Sequence, residues 1–259
     1  MIGKELGLTP GIGKLEKFYI WLLGVPISGL RIRLRRVLPQ LTGNPRRVLD
    51  AGCGRGVLSY EAAKRFNTAE VVAVDIDEEQ LQKNKAVANQ AGLDNLKFVA
   101  EDIANLQFNN EFDLAISVDN LEHLQDDHAG IRSLNRALAM NGKLVLHVPG
   151  YQRRWFWFKF TTNFDVPGHF RPGYFKDEIT EKLQQHGFDI DYSQYTFGWL
   201  ETVSNNISYF ITKAEAKNKL IYALVFPVLN VLAYLGRNAK PDNGAGVLVL
   251  ARKVKELDA

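Results

Sequence analysis

The sequence predicts an α/β protein built on a doubly wound, mostly parallel sheet that is covered by helices. From residue 46 onward, short β-branched runs alternate with helical stretches, the pattern of repeated β-α-β units. Runs such as VVAV at 71–74 and LVLHV at 144–148 are apolar on both faces, as central parallel strands are. The length of 259 residues suits one large domain, or one domain with a small cap.

The elements follow in order from local signals. Each predicted helix has apolar residues on one face or a glycine at its end, and glycine after a helix is a common stop signal. Helices are predicted at 57–66, 78–91 before Gly92, 129–140 before Asn141-Gly142, and 176–186 before Gly187. Strands are predicted at 47–50, 70–77, 96–102, 112–119, 143–149, 188–197 and 246–253.

Three segments fall outside this alternation. Residues 1–45 form a basic, amphipathic N-terminal arm, and residues 46–259 form the main domain with cap inserts at 150–175 and 198–243. The chain carries a net charge of only +3, and its basic residues are concentrated in the arm. Because the main domain lacks a basic face, we expect no nucleic-acid partner.

Cysteine usage and apolar windows indicate the compartment. A single cysteine, Cys53, excludes an intrachain disulfide and fits a reducing, cytoplasmic setting. The apolar window 18–30 contains Pro26 and runs into an arginine cluster, so we do not interpret it as an export signal. The window 220–236 contains Pro227 and Asn230 and has only the minimum length for crossing a bilayer.

Glycines and aspartates follow the first three strands. Gly52, Gly54 and Gly56 let the backbone approach a ligand closely, but their G-x-G-x-G spacing differs from the G-x-G-x-x-G of dinucleotide loops. Asp50 directly precedes the loop. Its carboxylate would repel a pyrophosphate, but it would attract a positively charged group. Asp75 is placed to accept ribose hydroxyls, and Asp102 to accept an adenine amino group. These residues predict a pocket for a nucleoside with a positive, phosphate-free tail.

With these motifs the chain resembles a class I S-adenosylmethionine-dependent methyltransferase. The similarity covers about 46–150, through VLDAGCGRG, VVAVDID, Glu101-Asp102-Ile103, FDLAISVDNLEHL and GKLVLHVPG. It implies a Rossmann-like sheet of seven strands with a reversed last strand, and methyl transfer from the sulfonium of S-adenosyl-L-methionine. It also implies cofactor contacts at Asp50, Ala51, Gly52, Cys53, Gly54, Asp75, Ile76, Asp102, Ile103, Ser117 and Asp119. For Cys53 we expect packing in the loop rather than nucleophilic chemistry.

The acceptor side is predicted from two later segments. Asn-Leu-Glu-His at 120–123 and Gly-His-Phe-Arg at 168–171 resemble small-molecule or lipid methyltransferases. We expect His169 to contact the acceptor as a general base, with Arg171 and Tyr174 as orienting groups; the alternative is a turn packed by aromatic residues. His123 either contacts the donor or acceptor or, with Glu122, begins a helix. We predict no metal, because the Asp-Asn pair of metal-dependent catechol enzymes is found only at 242–243, beyond the insert.

The apolar segments allow two interpretations. The aromatic residues of 151–164 and the window 220–236 form either a buried cap or a tunnel for a hydrophobic small-molecule or lipid acceptor. We favour peripheral membrane contact through 14–38 and 220–236, helped by the arm arginines Arg31, Arg33, Arg35 and Arg36. Those arginines could instead form a solvated helix face, or one could bind the carboxylate of the donor. The alternatives to a methyltransferase are a catalytically silent lipid-binding module and, less favoured, an NAD(P)-dependent oxidoreductase. The sequence leaves the oligomeric state open.

Overall fold

The structure, a computed structural model, describes residues 2–151, 168–212 and 218–257, so the predicted aromatic run at 155–164 lies outside the described residues. Seven strands form one sheet: β1 (Arg47–Ala51), β2 (Glu70–Asp75), β3 (Leu96–Ala100), β4 (Phe112–Val118), β5 (Leu138–Pro149), β6 (Phe188–Thr196) and β7 (Gly246–Lys253). Their order is β3-β2-β1-β4-β5-β7-β6. Only β7 runs antiparallel to its neighbours, β5 and β6. The predicted fold class is confirmed.

Eight α-helices accompany the sheet in the described residues: α1 (Lys14–Leu23), α2 (Ser28–Val37), α3 (Val57–Arg65), α4 (Glu78–Ala91), α5 (Asp127–Ala137), α6 (Lys176–Gln185), α7 (Trp199–Thr212) and α8 (Lys219–Leu235). The sequence predicts the bounds of α4 correctly because both ends carry local signals. The Asp77 side chain accepts a hydrogen bond from the amide of Gln80, 3.0 Å away, and Gly92 adopts a left-handed conformation that ends the helix.

The predicted helix at 129–140 is wrong at both ends. Helix α5 spans Asp127–Ala137, and Leu138 already pairs with Phe112 in the sheet. The Asn141-Gly142 pair does not end a helix; it lies in a bulge of β5, where Asn141 has φ +63° and the register against β4 shifts. An Asn-Gly pair permits positive φ in either setting, so the local sequence does not separate a helix end from a bulge.

Helices α2, α7 and α8 pack together into a group that we call the helical cap. At its centre the Arg36 guanidinium donates to both carboxylate oxygens of Glu201, at 3.0 and 2.5 Å. Glu201 is fully buried, and Arg36 also donates to the carbonyls of Gly236 and Ala239. The N-terminal arm and the 198–243 insert are therefore joined by a buried ion pair between residues 165 positions apart.

The four arm arginines are not the membrane-contacting groups that the sequence predicts, because their guanidinium groups are bonded within the chain. Arg31 is buried and donates to the carbonyl of Leu23. Arg33 donates to Asp119, and Arg35 to Asn230. Among the described residues, no helix is both long and apolar enough to cross a membrane.

Candidate functional site

The glycine loop lies at the point where strand order reverses. Strands β2 and β4 flank β1 on opposite sides, and ligands of doubly wound sheets bind outside the carboxyl ends of strands at such a point. Gly52 has φ +80°, and a Cβ there would lie 2.2 Å from Oδ1 of Asn120. Asn120 in turn donates to the carbonyl of Ala51 at 2.8 Å. Glycine at this position therefore permits the segments after β1 and β4 to meet.

Asp50 is the buried carboxyl of the site, directly before the loop. Its Oδ2 accepts a hydrogen bond from the Ser59 hydroxyl on α3, at 2.5 Å. Burial raises the pKa of the Asp50 carboxyl to about 6, and the neighbouring Asp75 carboxylate adds to the rise. A cation in the crevice would favour the charged form of Asp50 and reverse part of this shift.

Asp75 ties the loop to the end of β2. Its Oδ2 accepts from the amide of Gly54 at 2.7 Å, and its Oδ1 accepts from the amide of Asp77 at 3.1 Å. A carboxylate has about four acceptor positions, so two remain for a ligand hydroxyl pair. Beside it, Ile76 exposes 75% of its surface at the rim of the crevice.

The remaining predicted cofactor residues lie around the same crevice. Asp102 follows β3 and caps a short 3-10 helix by accepting from the amide of Ala104, and Ile103 is buried beside it. Ser117 and Ala51 are fully buried near the ends of β4 and β1. Cys53 is buried in the loop, and burial raises the pKa of its thiol, which supports packing rather than nucleophilic chemistry.

Asp119 connects the helical cap with the end of β4. Its φ of +53° is unusual for a residue other than glycine. Its carboxylate accepts from Arg33 at 2.7 Å and lies 2.7 Å from Nδ1 of His147. The other nitrogen of His147 is 3.0 Å from the Thr196 hydroxyl. The sequence predicts Asp119 but not these partners, since Arg33 is 86 positions away and no local pattern links the two.

Glu122, His123 and His169 lie together beyond the end of β4. The two imidazole rings meet edge to face with their centroids 4.5 Å apart. One ligand atom from each of the three side chains lies within 4.8 Å of the others. Residues 121–123 form a short 3-10 helix that ends at His123, and helix α5 begins only at Asp127. The sequence predicts His123 and His169 as separate candidates, and the structure brings them together.

Two backbone contacts attach His169 to this helix. The amide of Phe170 donates to the carbonyl of Glu122 at 2.8 Å. Nδ1 of His123 lies 2.9 Å from the carbonyl oxygen of Gly168, whose φ of +84° suits glycine. Because a carbonyl only accepts, Nδ1 carries the proton in this contact, and Nε2 of a neutral His123 keeps its lone pair.

The predicted orienting role of Tyr174 is wrong. Tyr174 is fully buried, and its hydroxyl donates to the carboxylate of Asp127 at 3.0 Å. Arg171 donates to the same carboxylate at 2.7 Å and to the carbonyls of Leu124 and Gln125. Both side chains hold residues 168–175 against the start of α5.

A comparison with protein-family models matches residues 44–169 to a methyltransferase domain. The match begins before β1 and ends at His169, so it includes the glycine loop, both site aspartates and the three clustered side chains.

Individual relatives match about half of this chain. A trans-aconitate 2-methyltransferase of Streptomyces avermitilis is 31% identical over 133 residues, which are 51% of this chain and 45% of that protein. A ubiquinone biosynthesis O-methyltransferase of Coxiella burnetii is 33% identical over 114 residues, 44% of this chain and 47% of that protein. The chain thus matches about half the length of these curated relatives.

Solved structures extend the similarity in fold. A geranyl diphosphate methyltransferase in complex with S-adenosylmethionine has a TM-score of 0.59 and 16% identity, and the match covers 98% of this chain and 96% of that one. At this identity the likeness concerns the fold, including the cap segments that the family model leaves out.

Proposed function

Because this chain belongs to the class I S-adenosylmethionine-dependent methyltransferases, we propose that it methylates a hydrophobic small-molecule or lipid-like acceptor at a membrane surface. The observation that carries the donor half is the crevice at the end of β1, β2 and β4. There a glycine loop bonds to Asp75, and a buried Asp50 lies within electrostatic reach of it. Two carboxyl groups favour a cationic ligand. S-adenosylmethionine fits this requirement because its sulfonium is positively charged and it has no phosphate group.

Each donor contact has a distinct task in this proposal. Asp75 accepts the ribose hydroxyls, Asp50 faces the positive amino acid end, and Ile76 and Ile103 flank the adenine, whose amino group Asp102 accepts. Holding donor and acceptor in line supplies about 7–11 kcal/mol of the barrier reduction in well-oriented reactions. Positioning is therefore the main contribution that we assign to this chain.

The acceptor loses a proton when it is a hydroxyl or an amine. His169 and His123 stand at the acceptor side and provide the bases for this proton, a contribution of about 10²–10⁴-fold. Two relatives are named O-methyltransferases and one is named an N-methyltransferase, which supports oxygen or nitrogen as the accepting atom.

An exposed apolar surface supports the hydrophobic acceptor and the membrane. Helix α8 buries Phe226, Leu229 and Ala233 on one side. On its opposite side a stripe at helical spacing is exposed, formed by Leu220, Leu224, Val228, Val231 and Leu235. Helix α1 adds the exposed side chains of Leu15, Phe18, Trp21 and Leu22. We call the exposed side chains of these two helices the apolar face.

The apolar face is one surface because α1 contacts α8. The Tyr19 hydroxyl donates to the carbonyl of Ala223 at 2.6 Å, and its ring lies 6.5 Å from that of Phe226. Exposed Lys14 and Lys17 on α1 and Lys219 at the start of α8 border it. Apolar side chains edged by cations suit an anionic lipid surface, and these lysines replace the arm arginines in that role.

Calorimetry tests the donor half. We expect S-adenosylhomocysteine to bind the full chain with one equivalent, and NAD to give no heat of binding. Binding of NAD alone would contradict the proposal and favour the oxidoreductase alternative. Binding of S-adenosylhomocysteine without methylation of any apolar acceptor tested would favour the catalytically silent module.

Flotation with vesicles tests the membrane half. We expect the chain to float with anionic vesicles at low salt, and the variant Leu224→Glu to stay behind, because Leu224 is 80% exposed on the apolar face. Val254→Glu is the matched control, since Val254 is 49% exposed and lies after β7. Equal flotation of both variants, or a chain that never floats and instead dimerises through this face, would contradict membrane contact.

A further inference from the structure

We infer that Glu122, His123 and His169 form a binding site for a divalent transition metal of the zinc class. The carboxylate and the two imidazoles each place one ligand atom within 4.8 Å of the others. Two histidines and one carboxylate are a ligand set that zinc uses when a further position stays open. Imidazole ligands select zinc-like ions over magnesium and calcium, which prefer oxygen ligands throughout.

The first step of the inference concerns orientation. Metal-binding histidines generally donate their second ring nitrogen to a carbonyl or carboxylate, and this contact fixes the tautomer. His123 has this arrangement, with Nδ1 2.9 Å from the carbonyl oxygen of Gly168. Its Nε2 lone pair is thereby kept free of the proton, as a metal ligand requires.

The second step concerns how rigidly the three residues are held. Glu122 and His123 are neighbours on one short 3-10 helix, and Glu122 is only 1% exposed. His169 is brought to them by the amide of Phe170, which donates to the Glu122 carbonyl. Arg171 bonds the next part of the loop to Asp127. The three residues are thus brought together by a backbone contact and by an ion pair of the neighbouring Arg171.

The third step concerns distance. Bonds of about 2.0–2.2 Å in a tetrahedral arrangement place ligand atoms about 3.4 Å apart. Ligand atoms now within 4.8 Å of one another must therefore close by about 1.4 Å at most. We expect rotation of the three side chains to supply this movement.

The role of the ion rests on the proposed function. With three protein ligands, the fourth position is open to an oxygen of the acceptor, and a bound metal lowers the pKa of such a hydroxyl. The hydroxyl proton then leaves to water, and an oxygen lone pair forms the bond to the methyl carbon. The carbon–sulfur bond breaks, and its electron pair stays on sulfur. A hydroxyl and a sulfonium become an ether, a thioether and a proton. With the ion bound, the metal promotes the deprotonation; without the ion, His169 and His123 act as the bases of the proposed function.

Titration of untagged, chelator-treated full chain with Zn²⁺ and Co²⁺ tests the site. We expect one equivalent of either ion by calorimetry, and visible absorption bands from bound Co²⁺. Glu122→Gln, His123→Gln and His169→Gln should each weaken binding by more than about 100-fold, the upper end of what losing an outer-shell partner costs. Circular dichroism identifies any variant that fails to fold. The metal affinities of the variants that do fold then test the site.

His128→Gln is the matched control. His128 and His186 form a second histidine pair, but their ring nitrogens lie 2.8 Å apart and bond to each other, so they are not arranged around an ion. We expect His128→Gln to bind one equivalent of Zn²⁺ or Co²⁺, as the wild type does. Absence of Zn²⁺ and Co²⁺ binding, or equal loss in His128→Gln and His169→Gln, would overturn the inference. S-adenosylhomocysteine is titrated into the same samples, so failure of the metal site and failure of the donor site are recorded separately.

Discussion

The carboxyl edge of the sheet and the helical cap are held together in different ways. At the edge, both site aspartates contact residues close in sequence: Asp50 bonds to Ser59 and Asp75 to Gly54, nine and 21 positions apart. In the cap, Arg36 reaches Glu201 and Arg35 reaches Asn230, 165 and 195 positions apart. The edge is therefore visible in local motifs, whereas the cap depends on side chains that only the tertiary fold brings together.

The largest effect is expected in the cap. Glu201→Ala leaves the Arg36 guanidinium buried without its carboxylate, and breaking such a pair typically costs about 3–5 kcal/mol. We expect this loss in the free energy of unfolding, measured by chemical denaturation. The double variant Arg36→Leu with Glu201→Leu should regain part of the stability, because an apolar pair leaves no unpaired charge. A single variant that costs less than about 1 kcal/mol would show that the cap is not organised by this pair.

The next effect is expected at the edge. Asp75→Ala removes both the ligand-facing oxygens and the contact that holds Gly54. We expect at least a 100-fold loss of affinity for S-adenosylhomocysteine in calorimetry, about 2.7 kcal/mol. Asp77→Ala is the control, since Asp77 only caps α4 and its loss should lower stability by about 1 kcal/mol without changing affinity. Equal affinity in the wild type and Asp75→Ala would contradict the donor pocket.

A tenfold effect is expected from pH. With a pKa of about 6, Asp50 is about one-tenth ionised at pH 5 and almost fully ionised at pH 7.5. If the ionised form binds the positive end of the ligand, affinity for S-adenosylhomocysteine should rise about tenfold between these values. Asp50→Asn should bind weakly and without this pH dependence. A wild-type affinity that does not change with pH would rule out a charge-based role for Asp50.

The same carboxyl should reduce stability. Its pKa in the folded chain lies above the ordinary value of about 3.9, so the folded chain binds more protons than the unfolded one between about pH 4 and 6. Stability contributed by the neutral form is therefore lost as the pH rises through this window. We expect Asp50→Asn to unfold at a higher temperature than the wild type at pH 7.5, and a lower temperature would contradict the assigned cost of burial.

The smallest effect is expected where the two regions meet. Arg33 on α2 bonds to Asp119 after β4, with both side chains about one-quarter exposed, and such pairs contribute about 0.2–1 kcal/mol. Arg33→Ala should weaken S-adenosylhomocysteine binding by less than about fivefold, whereas Arg35→Ala, which loses a contact to Asn230 within the cap, should leave it unchanged. Identical affinities in the two variants would show that the cap does not support the site.

The same contrast explains what the sequence could predict. The location of Gly52, Asp50 and Asp75 was predictable, because parallel strands bring their carboxyl ends to one edge of the sheet. A residue at the end of a predicted strand is therefore expected at that edge. The location of Tyr174 was not predictable, because its partner Asp127 is 47 positions away and the pair is buried. The cluster of Glu122 and His123 with His169 was predictable only as separate segments, since the contact depends on how Gly168 turns.

The arginines of α2 were misinterpreted for a related reason. A run of four guanidinium groups between apolar residues fits a lipid-facing helix as well as an interior one, and local pattern does not distinguish them. The distinction comes from the partners Glu201, Asp119 and Asn230, which lie on elements that the sequence places far away.

The place of β7 in the strand order has a consequence for synthesis on the ribosome. Strand β6 pairs only with β7, and β7 fills the gap between β6 and β5. The first five strands can assemble as they emerge, but β6 must wait for residues 246–253 before it acquires a neighbour in the sheet. Until translation reaches that segment, β5 presents an unprotected edge, so a nascent chain stalled shortly before it is the species most in need of a chaperone.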